Sequence, residues 1–86
     1  MTTYTFHTDP GHGWLEVSRD ELELLRIDDQ ISGYSYQAGT KVYLEEDCDA
    51  GLFINALENM GVKFEYTTIN TNNDSPIRFL KRYVKC

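Results

Sequence analysis

The chain has 86 residues, which fits one compact domain, 1–86, with a thin core, because a domain of this size buries only about 60–65% of its unfolded surface. No stretch reaches the ~20 apolar residues of a membrane span, and no apolar signal-peptide region follows Met1, so neither membrane insertion nor secretion is predicted. The two cysteines, Cys48 and Cys86, lack the spacing of a zinc pair and are too few for a disulfide framework. Reduced thiols in a cytoplasm are therefore expected.

The charge of the chain is unevenly distributed. The formal net charge is −6, but residues 77–86 hold four basic side chains and no acidic one, whereas the rest of the chain carries a charge of −10. An acidic body repels phosphate backbones, so direct binding of nucleic acid is disfavoured. The acidic charge either only keeps the protein soluble or also attracts a partner with a basic surface. The basic tail, 77–86, is a candidate for docking on the acidic body.

The N-terminal segment has the pattern of a β-hairpin. Residues 2–7 alternate, with Tyr4 and Phe6 on one face, as in a half-buried strand. The sequence DPG at 9–11 predicts a turn, because proline fixes φ and glycine accepts a positive φ. Residues 14–17 resume an extended pattern, so we expect two paired strands around this turn.

A short helix is predicted after the hairpin. Ser18 and Glu21 have the spacing of a capping box, in which the two side chains satisfy free N–H groups at the helix start. Leu22 and Leu25 form the apolar face of a helix of two to three turns. Leu24 is a further candidate for that face.

The middle of the chain predicts a second hairpin and then a second helix. Residues 34–36 and 41–44 have strand patterns with a hairpin-sized connection between them. Asp47 or Asp49 is placed to cap the helix, and Gly61 is placed to end it. Five residues give this helix an apolar stripe: Leu52, Phe53, Ala56, Leu57 and Met60.

The C-terminal part predicts one more strand at 62–69, a polar turn at 70–76 and a tail of ambiguous pattern. Ser75 and Pro76 are typical of a helix start, but residues 77–84 also alternate as a strand, and we expect extended structure there. The order β-β-α-β-β-α-β predicts an α+β fold. It consists of a mostly antiparallel sheet of about five strands with two helices packed on one face.

Three potential metal ligands lie beside the first turn. His7, Asp9 and His12 fall within six residues, and imidazole and carboxylate suit Zn²⁺ or Ni²⁺. Three such ligands are too few for a closed structural site, and local hydrogen bonding is the competing interpretation. A small metal- or ligand-binding protein built on these residues is therefore an alternative prediction, and the main prediction includes no metal and no cofactor.

The densest acidic run is EEDCD at 45–49. It lacks the spacing, the glycine and the terminal glutamate of an EF-hand. Asp47 and Asp49 have a simpler role at the start of the second helix, where carboxylates bind free N–H groups. Glu45 and Glu46 are candidates to present negative charge to a basic partner.

Cys48 is the candidate nucleophile, with His7 or His12 as its base. A nearby helix N-terminus lowers the pKa of a thiol, whereas neighbouring carboxylates raise it, so the two effects conflict. No Gly-rich phosphate loop, Ser-His-Asp pattern or CxxC motif accompanies it. The sequence therefore predicts that the protein is not an enzyme.

Four runs of the chain carry a resemblance to a family: TDPGHGWLEV at 8–17, YSY at 34–36, VYLEEDCDAG at 42–51 and SPIR at 75–78. In these motifs the chain resembles a group of small, uncharacterised accessory proteins of phages, plasmids and other mobile elements. The resemblance implies a bacterial host cytoplasm and assigns no residue a role. Small acidic proteins of that setting often inhibit a host defence complex, such as a CRISPR or restriction complex, by occupying a protein surface.

The sequence thus predicts a non-enzymatic binding protein of a mobile element. Its partner would be a protein with a basic surface, including a host complex that binds nucleic acid, with an anti-CRISPR or anti-restriction effect. Besides the metal- or ligand-binding alternative, a third possibility is a homo-oligomeric module, in which an exposed strand edge or the aromatic tail forms a homodimer. The predicted contact residues are Glu45, Glu46, Asp47, Asp49, His12, Trp14, Tyr34 and Tyr36.

Overall fold

The computed structural model describes residues 2–84 and has the predicted α+β fold. Its order β-β-α-β-β-α-β is confirmed, and a short sixth strand is added at the end. Met1, Lys85 and Cys86 lie outside the described residues, so the expectation of a reduced Cys86 stays a prediction. The elements in chain order are β1 (Thr2–Thr8), β2 (Gly13–Ser18), α1 (Arg19–Leu24), β3 (Tyr36–Ala38), β4 (Lys41–Glu45), α2 (Ala50–Asn59), β5 (Phe64–Asn70), a 3₁₀ helix (Pro76–Phe79) and β6 (Lys81–Arg82).

The strands form one six-stranded sheet in the order β5-β1-β2-β4-β3-β6. All neighbouring pairs are antiparallel except β1 and β5, which run parallel over their full lengths. The predicted hairpin of β1 and β2 is present, with His7 opposite Trp14 and Phe6 opposite Leu15. After β4 the chain passes through α2 across the sheet and then adds β5 beside β1, at the far edge.

One face of the sheet packs against both helices and forms the core. Successive side chains of a strand point to opposite faces, so Leu15 and Val17 of β2 lie on the same side as Leu44 of β4. Phe53 of α2 is fully buried there, and its ring makes an edge-to-face contact of 5.4 Å with Tyr4. Burial of each such side chain contributes about 1.5–3 kcal/mol, so this face supplies most of the stabilisation.

Helix α1 begins as predicted but is shorter. Ser18 Oγ accepts from the backbone N–H of Glu21, and Glu21 returns a bond to the N–H of Ser18, so the capping box is confirmed. The helix ends after six residues because Arg26 takes a left-handed conformation at φ 59°. Leu22 is buried, but Leu24 is 79% exposed, so its place on the apolar face was wrongly predicted.

Three other predictions are corrected. Met60 is exposed because it is the C-cap of α2, where the chain leaves the core; Gly61 follows at φ 73° and ends the helix as expected. Strand β3 starts at Tyr36, not at Tyr34. The extended structure expected for residues 77–84 is present in β6 but wrong at residues 77–79, which belong to the 3₁₀ helix. Ser75 caps this helix by accepting a hydrogen bond from the N–H of Ile77.

Candidate functional site

The face of the sheet opposite the helices carries a cavity of about 330 Å³, here called the Trp14 cavity. It lies where β2, β4, β3 and β6 adjoin, and none of the residues that line it belongs to β1 or β5. Six of the eight predicted contact residues line it. The complete lining is His12, Trp14, Tyr34, Tyr36, Glu45, Asp47, Cys48, Arg78 and Arg82.

An ion pair between Asp9 and Arg78 forms one side of this site. The carboxylate accepts from Arg78 Nε at 2.5 Å and from Nη2 at 2.8 Å, in the bidentate geometry that suits a guanidinium. Its two oxygens also accept from the backbone N–H groups of Gly11, His12 and Ser75. The bonds from Arg78 hold the pKa of Asp9 far below its usual range, and the backbone donors act in the same direction against the effect of burial.

The DPGHG turn explains why glycine stands at two positions beside the site. A Cβ atom on Gly11 would lie 2.9 Å from Arg78 Nη2 and would disturb the ion pair. A Cβ on Gly13 would lie 2.6 Å from the Phe6 ring and 2.8 Å from Glu46 Oε2, which is closer than real Cβ contacts. The missing side chain at Gly11 therefore lets Arg78 approach the turn, and the missing side chain at Gly13 leaves room for Phe6 and Glu46.

Trp14 forms the floor of the cavity. It is 2% exposed and lies on the face of the sheet opposite the main core cluster. Arg78 covers its ring at 5.4 Å, and the rings of Tyr36 and His12 lie 6.3 Å and 6.1 Å from it. The indole Nε1 is buried and has no hydrogen-bond partner among residues 2–84.

The opposite side of the cavity combines tyrosine and arginine. Arg82 stacks on the ring of Tyr36 at 5.5 Å and donates from Nη1 to the carbonyl of Gly33 at 2.8 Å. Arg82 has no carboxylate within ion-pair distance in the described part of the chain. Tyr34 is 64% exposed and stands at the mouth, where a bound group would meet it first.

Glu45 lies in the wall of the cavity and serves the fold. It is 7% exposed, and its Oε2 accepts from the backbone N–H groups of Asp47 and Cys48. Its Oε1 lies 3.5 Å from His12 Nδ1. The Glu45 carboxylate is thus occupied by backbone N–H groups just after β4, and its contact with a basic partner stays a prediction. Asp47 is exposed at the rim.

Asp49 and Glu46 do not line the cavity. Asp49 occupies the N-cap position of α2 without a side-chain capping bond, so its predicted capping role is wrong. Its buried carboxylate accepts from the N–H and hydroxyl of Ser32 and from the hydroxyl of Ser35, at 2.5–3.1 Å. These bonds fix the 32–35 loop against α2 and so position Tyr34. Glu46 is exposed on the other face of the sheet, beside Gly13.

The three potential metal ligands are held apart by separate partners. His7 Nε2 lies 2.9 Å from Glu16 Oε1, Asp9 binds Arg78, and His12 lies beside Glu45. Among residues 2–84 no group of three or more His, Cys, Asp or Glu side chains could hold a metal ion. The alternative prediction of a metal site on His7, Asp9 and His12 therefore fails on geometry.

Cys48 is exposed at the cavity with a thiol that is not activated. Desolvation raises its pKa, and the hydrogen bond and charge of Glu45 raise it further, with Asp49 and Asp47 adding to the effect. The thiol is then the dominant form at neutral pH, and the thiolate is the nucleophile in cysteine chemistry. The conflict between helix start and carboxylates is therefore resolved toward a raised pKa of the thiol, with desolvation as the largest cause and the carboxylates adding to it.

Both arginines of the site lie outside the predicted contact residues. The sequence places Arg78 and Arg82 only in a basic tail, because it does not show that the tail folds back beside the hairpin. The runs 8–17, 34–36, 42–51 and 75–78 each contribute at least one residue to the lining of the Trp14 cavity.

Comparisons with known proteins add no assignment. The chain matches no protein-family model, no curated protein and no solved structure. No helix among residues 2–84 is both long and apolar enough to cross a membrane. The site's own geometry is therefore the basis for a functional proposal.

Proposed function

We propose that the protein is a non-enzymatic binding protein whose contact face is the mouth of the Trp14 cavity. Trp, Tyr and Arg side chains supply most of the binding energy in protein interfaces. The cavity brings together one tryptophan, two tyrosines and two arginines. The occupant would be a segment of a protein partner that inserts beside Tyr34.

The unpaired indole N–H of Trp14 is the observation that carries this proposal. A buried donor without an acceptor costs about 1–3 kcal/mol, so folded proteins rarely keep one without a reason. An oxygen of a bound segment would satisfy this donor once the side chains that cover it move aside. The same segment would meet Arg82, whose guanidinium has no carboxylate partner among residues 2–84.

The charge of the exposed surface supports a partner with a basic surface. Potentials of opposite sign steer association and exclude partners of the same sign. The cavity itself contains both signs of charge, since Arg78 and Arg82 line it together with Glu45 and Asp47. We therefore infer that the basic region of the partner lies around the inserted segment and faces the acidic surface outside the cavity. Eight of the fourteen carboxylates are exposed: Asp20, Glu23, Asp29, Glu46, Asp47, Glu58, Glu65 and Asp74.

The family resemblance supplies the setting of the proposal. In a phage, plasmid or other mobile element, a small acidic binding protein would act in the cytoplasm of a bacterial host. Its partner would be a defence complex of the CRISPR or restriction type, which carries basic surfaces for nucleic acid. The protein would then inhibit by covering that surface, without contacting nucleic acid directly.

The test is a capture experiment with matched variants. Tagged wild-type protein and the variants Tyr34→Ala and Asp47→Lys are used to capture proteins from a bacterial lysate, with quantification by mass spectrometry. Leu24→Ala and Glu58→Lys are the controls, because they remove an exposed apolar side chain and reverse an exposed charge away from the cavity. The proposal predicts one basic complex that both cavity variants lose and both controls retain.

A second readout makes the result decisive. The captured complex, once purified, should bind the wild type more weakly as salt rises, because exposed charges are screened. Equal binding of Tyr34→Ala and the wild type to that complex would contradict the proposed contact face. Capture of no complex would contradict the proposed function as a whole.

The volume of the cavity favours a second candidate function, the binding of a small polar molecule. Ligand pockets usually enclose about 300–1,000 Å³, and the Trp14 cavity falls at the lower end of that range. Native mass spectrometry of the protein purified from cells would show a stoichiometric ligand in this case. Trp14 is the sole tryptophan, so its fluorescence would report the loss of that ligand.

A further inference from the structure

The two edges of the sheet differ in their capacity to pair with another strand. At one edge β6 is two residues long, and both of its residues, Lys81 and Arg82, are basic, which blocks pairing. At the other edge β5 has seven residues and pairs on one side only, with β1. Its outer backbone N–H and C=O groups therefore form an open template for a further strand.

The segment around β5 is unusually apolar for this protein. Eight large hydrophobic side chains are exposed in the described chain, and four of them, Met60, Val62, Tyr66 and Ile69, lie within ten residues. Residues 60–73 contain just two charges, Lys63 and Glu65, which cancel, although the chain carries a net charge of −6. Two copies of this segment can therefore approach without the repulsion that the rest of the surface would cause.

We propose that β5 pairs antiparallel with β5 of a second copy of this chain, in a symmetric dimer with a continuous twelve-stranded sheet. A register centred on Thr67 pairs all seven residues of each strand. It places Glu65 opposite Ile69 of the partner subunit, and so keeps the two glutamates apart. A register centred on Glu65 would bring the like charges face to face, which destabilises a strand pair.

The dimer surface is separate from the Trp14 cavity. No residue that lines the cavity belongs to β5 or to its neighbour β1. A dimer would therefore present two open cavities at the two ends of the joined sheet. Linked sites of this kind raise avidity for a partner with repeated sites, without any new contact. The dimer proposal does not depend on the proposed function.

Light scattering coupled to size exclusion tests this dimer. The wild type is expected at twice the chain mass of 10.0 kDa. Thr67→Lys places two like charges opposite each other at the symmetry axis, and should give the mass of one chain. Asn73→Lys adds the same charge in the exposed turn after β5 and should leave the dimer intact. A wild type of one chain mass, or a dimeric Thr67→Lys variant, would overturn the proposal.

Cysteine cross-linking tests the register. It also tests the dimer independently if the Thr67→Lys variant does not fold. In a Cys48→Ser, Cys86→Ser background, Thr67→Cys should oxidise rapidly to a disulfide-linked dimer, because residues opposite each other have Cβ atoms about 4.5–5.5 Å apart. Thr68→Cys, the adjacent exposed residue, would face Tyr66 of the partner subunit, beyond disulfide reach of its own copy. Equal cross-linking of the two variants, or none, would refute this register.

Discussion

At the scale of single residues, Asp9 determines the geometry of the site. Its side chain is fully buried and accepts five hydrogen bonds, two from Arg78 and three from the backbone N–H groups of Gly11, His12 and Ser75. Those bonds hold the DPGHG turn and the 3₁₀ helix together, and they place the guanidinium over the Trp14 ring. The charge of one carboxylate therefore positions the guanidinium that covers the floor of the cavity.

Asp9→Asn should lower the free energy of unfolding at pH 7, because an amide cannot replace a charged acceptor of five bonds. The pKa of Asp9 is depressed in the folded state, so its stabilisation is present above the unfolded pKa of about 3.9 and is lost as pH falls toward the folded value. Urea unfolding should show the gap between wild type and variant narrowing below about pH 4. A constant gap from neutral to acidic pH would contradict this role; Asp29→Asn, at an exposed position, is the control.

Asp49 and Asp47 are a matched pair of carboxylates two residues apart, one buried and one exposed. Asp49→Ala should lower the free energy of unfolding by about 2–3 kcal/mol, because the donors of Ser32 and Ser35 lose their charged acceptor. Asp47→Ala should change it by less than about 0.5 kcal/mol. Similar values for the two variants in chemical denaturation would show that the Ser32–Asp49 contacts are unimportant.

At the scale of elements, the sequence predicts the strands and helix ends that depend on residues close together in the chain. Ser18 and Glu21 begin α1, Gly61 ends α2, and the alternation of 2–7 makes a strand, because these signals act within a few residues. The prediction fails where distant partners decide. Asp49 has the position of a cap, but its carboxylate binds a loop that precedes it by fourteen or more residues.

In the candidate site, too, some residues can be predicted from residue type, whereas others depend on distant partners. Tyr34, Tyr36, His12 and Trp14 were predicted as a contact cluster from residue type, and all four line one cavity. Arg78 and Arg82 could not be placed, because their positions depend on an ion pair and a strand pair that span the length of the chain.

The tail is the element with the clearest test. Tyr83 is buried in the main core, and its hydroxyl donates to the carbonyl of Asp28 at 2.6 Å, whereas Phe79 is 80% exposed. Tyr83→Ala should therefore lower the free energy of unfolding by about 3–5 kcal/mol, and Phe79→Ala by less than about 0.5 kcal/mol. Equal effects in thermal and chemical unfolding would mean that Tyr83 does not anchor the tail.

At the scale of the whole molecule, the two faces of the sheet differ in what they carry. The helix-covered face holds the apolar core, while the opposite face holds aromatic and charged side chains around a cavity. The folded tail brings Arg78 and Arg82 onto that second face. The cavity therefore contains both basic and acidic side chains, whereas carboxylates are common on the exposed surface elsewhere. This distribution supports our proposal that the cavity binds a segment with an oxygen acceptor, set in a basic surface.

Site-specific photo-cross-linking in the bacterial host tests the central claim most directly. A benzophenone amino acid replaces Tyr34 at the mouth of the Trp14 cavity in one variant and Glu58, on the far end of α2, in another. The proposed contact face predicts a covalent adduct with one host protein from position 34 and none from position 58. An adduct from position 58 alone, or adducts of equal yield from both positions, would show that the partner binds elsewhere and would contradict the claim.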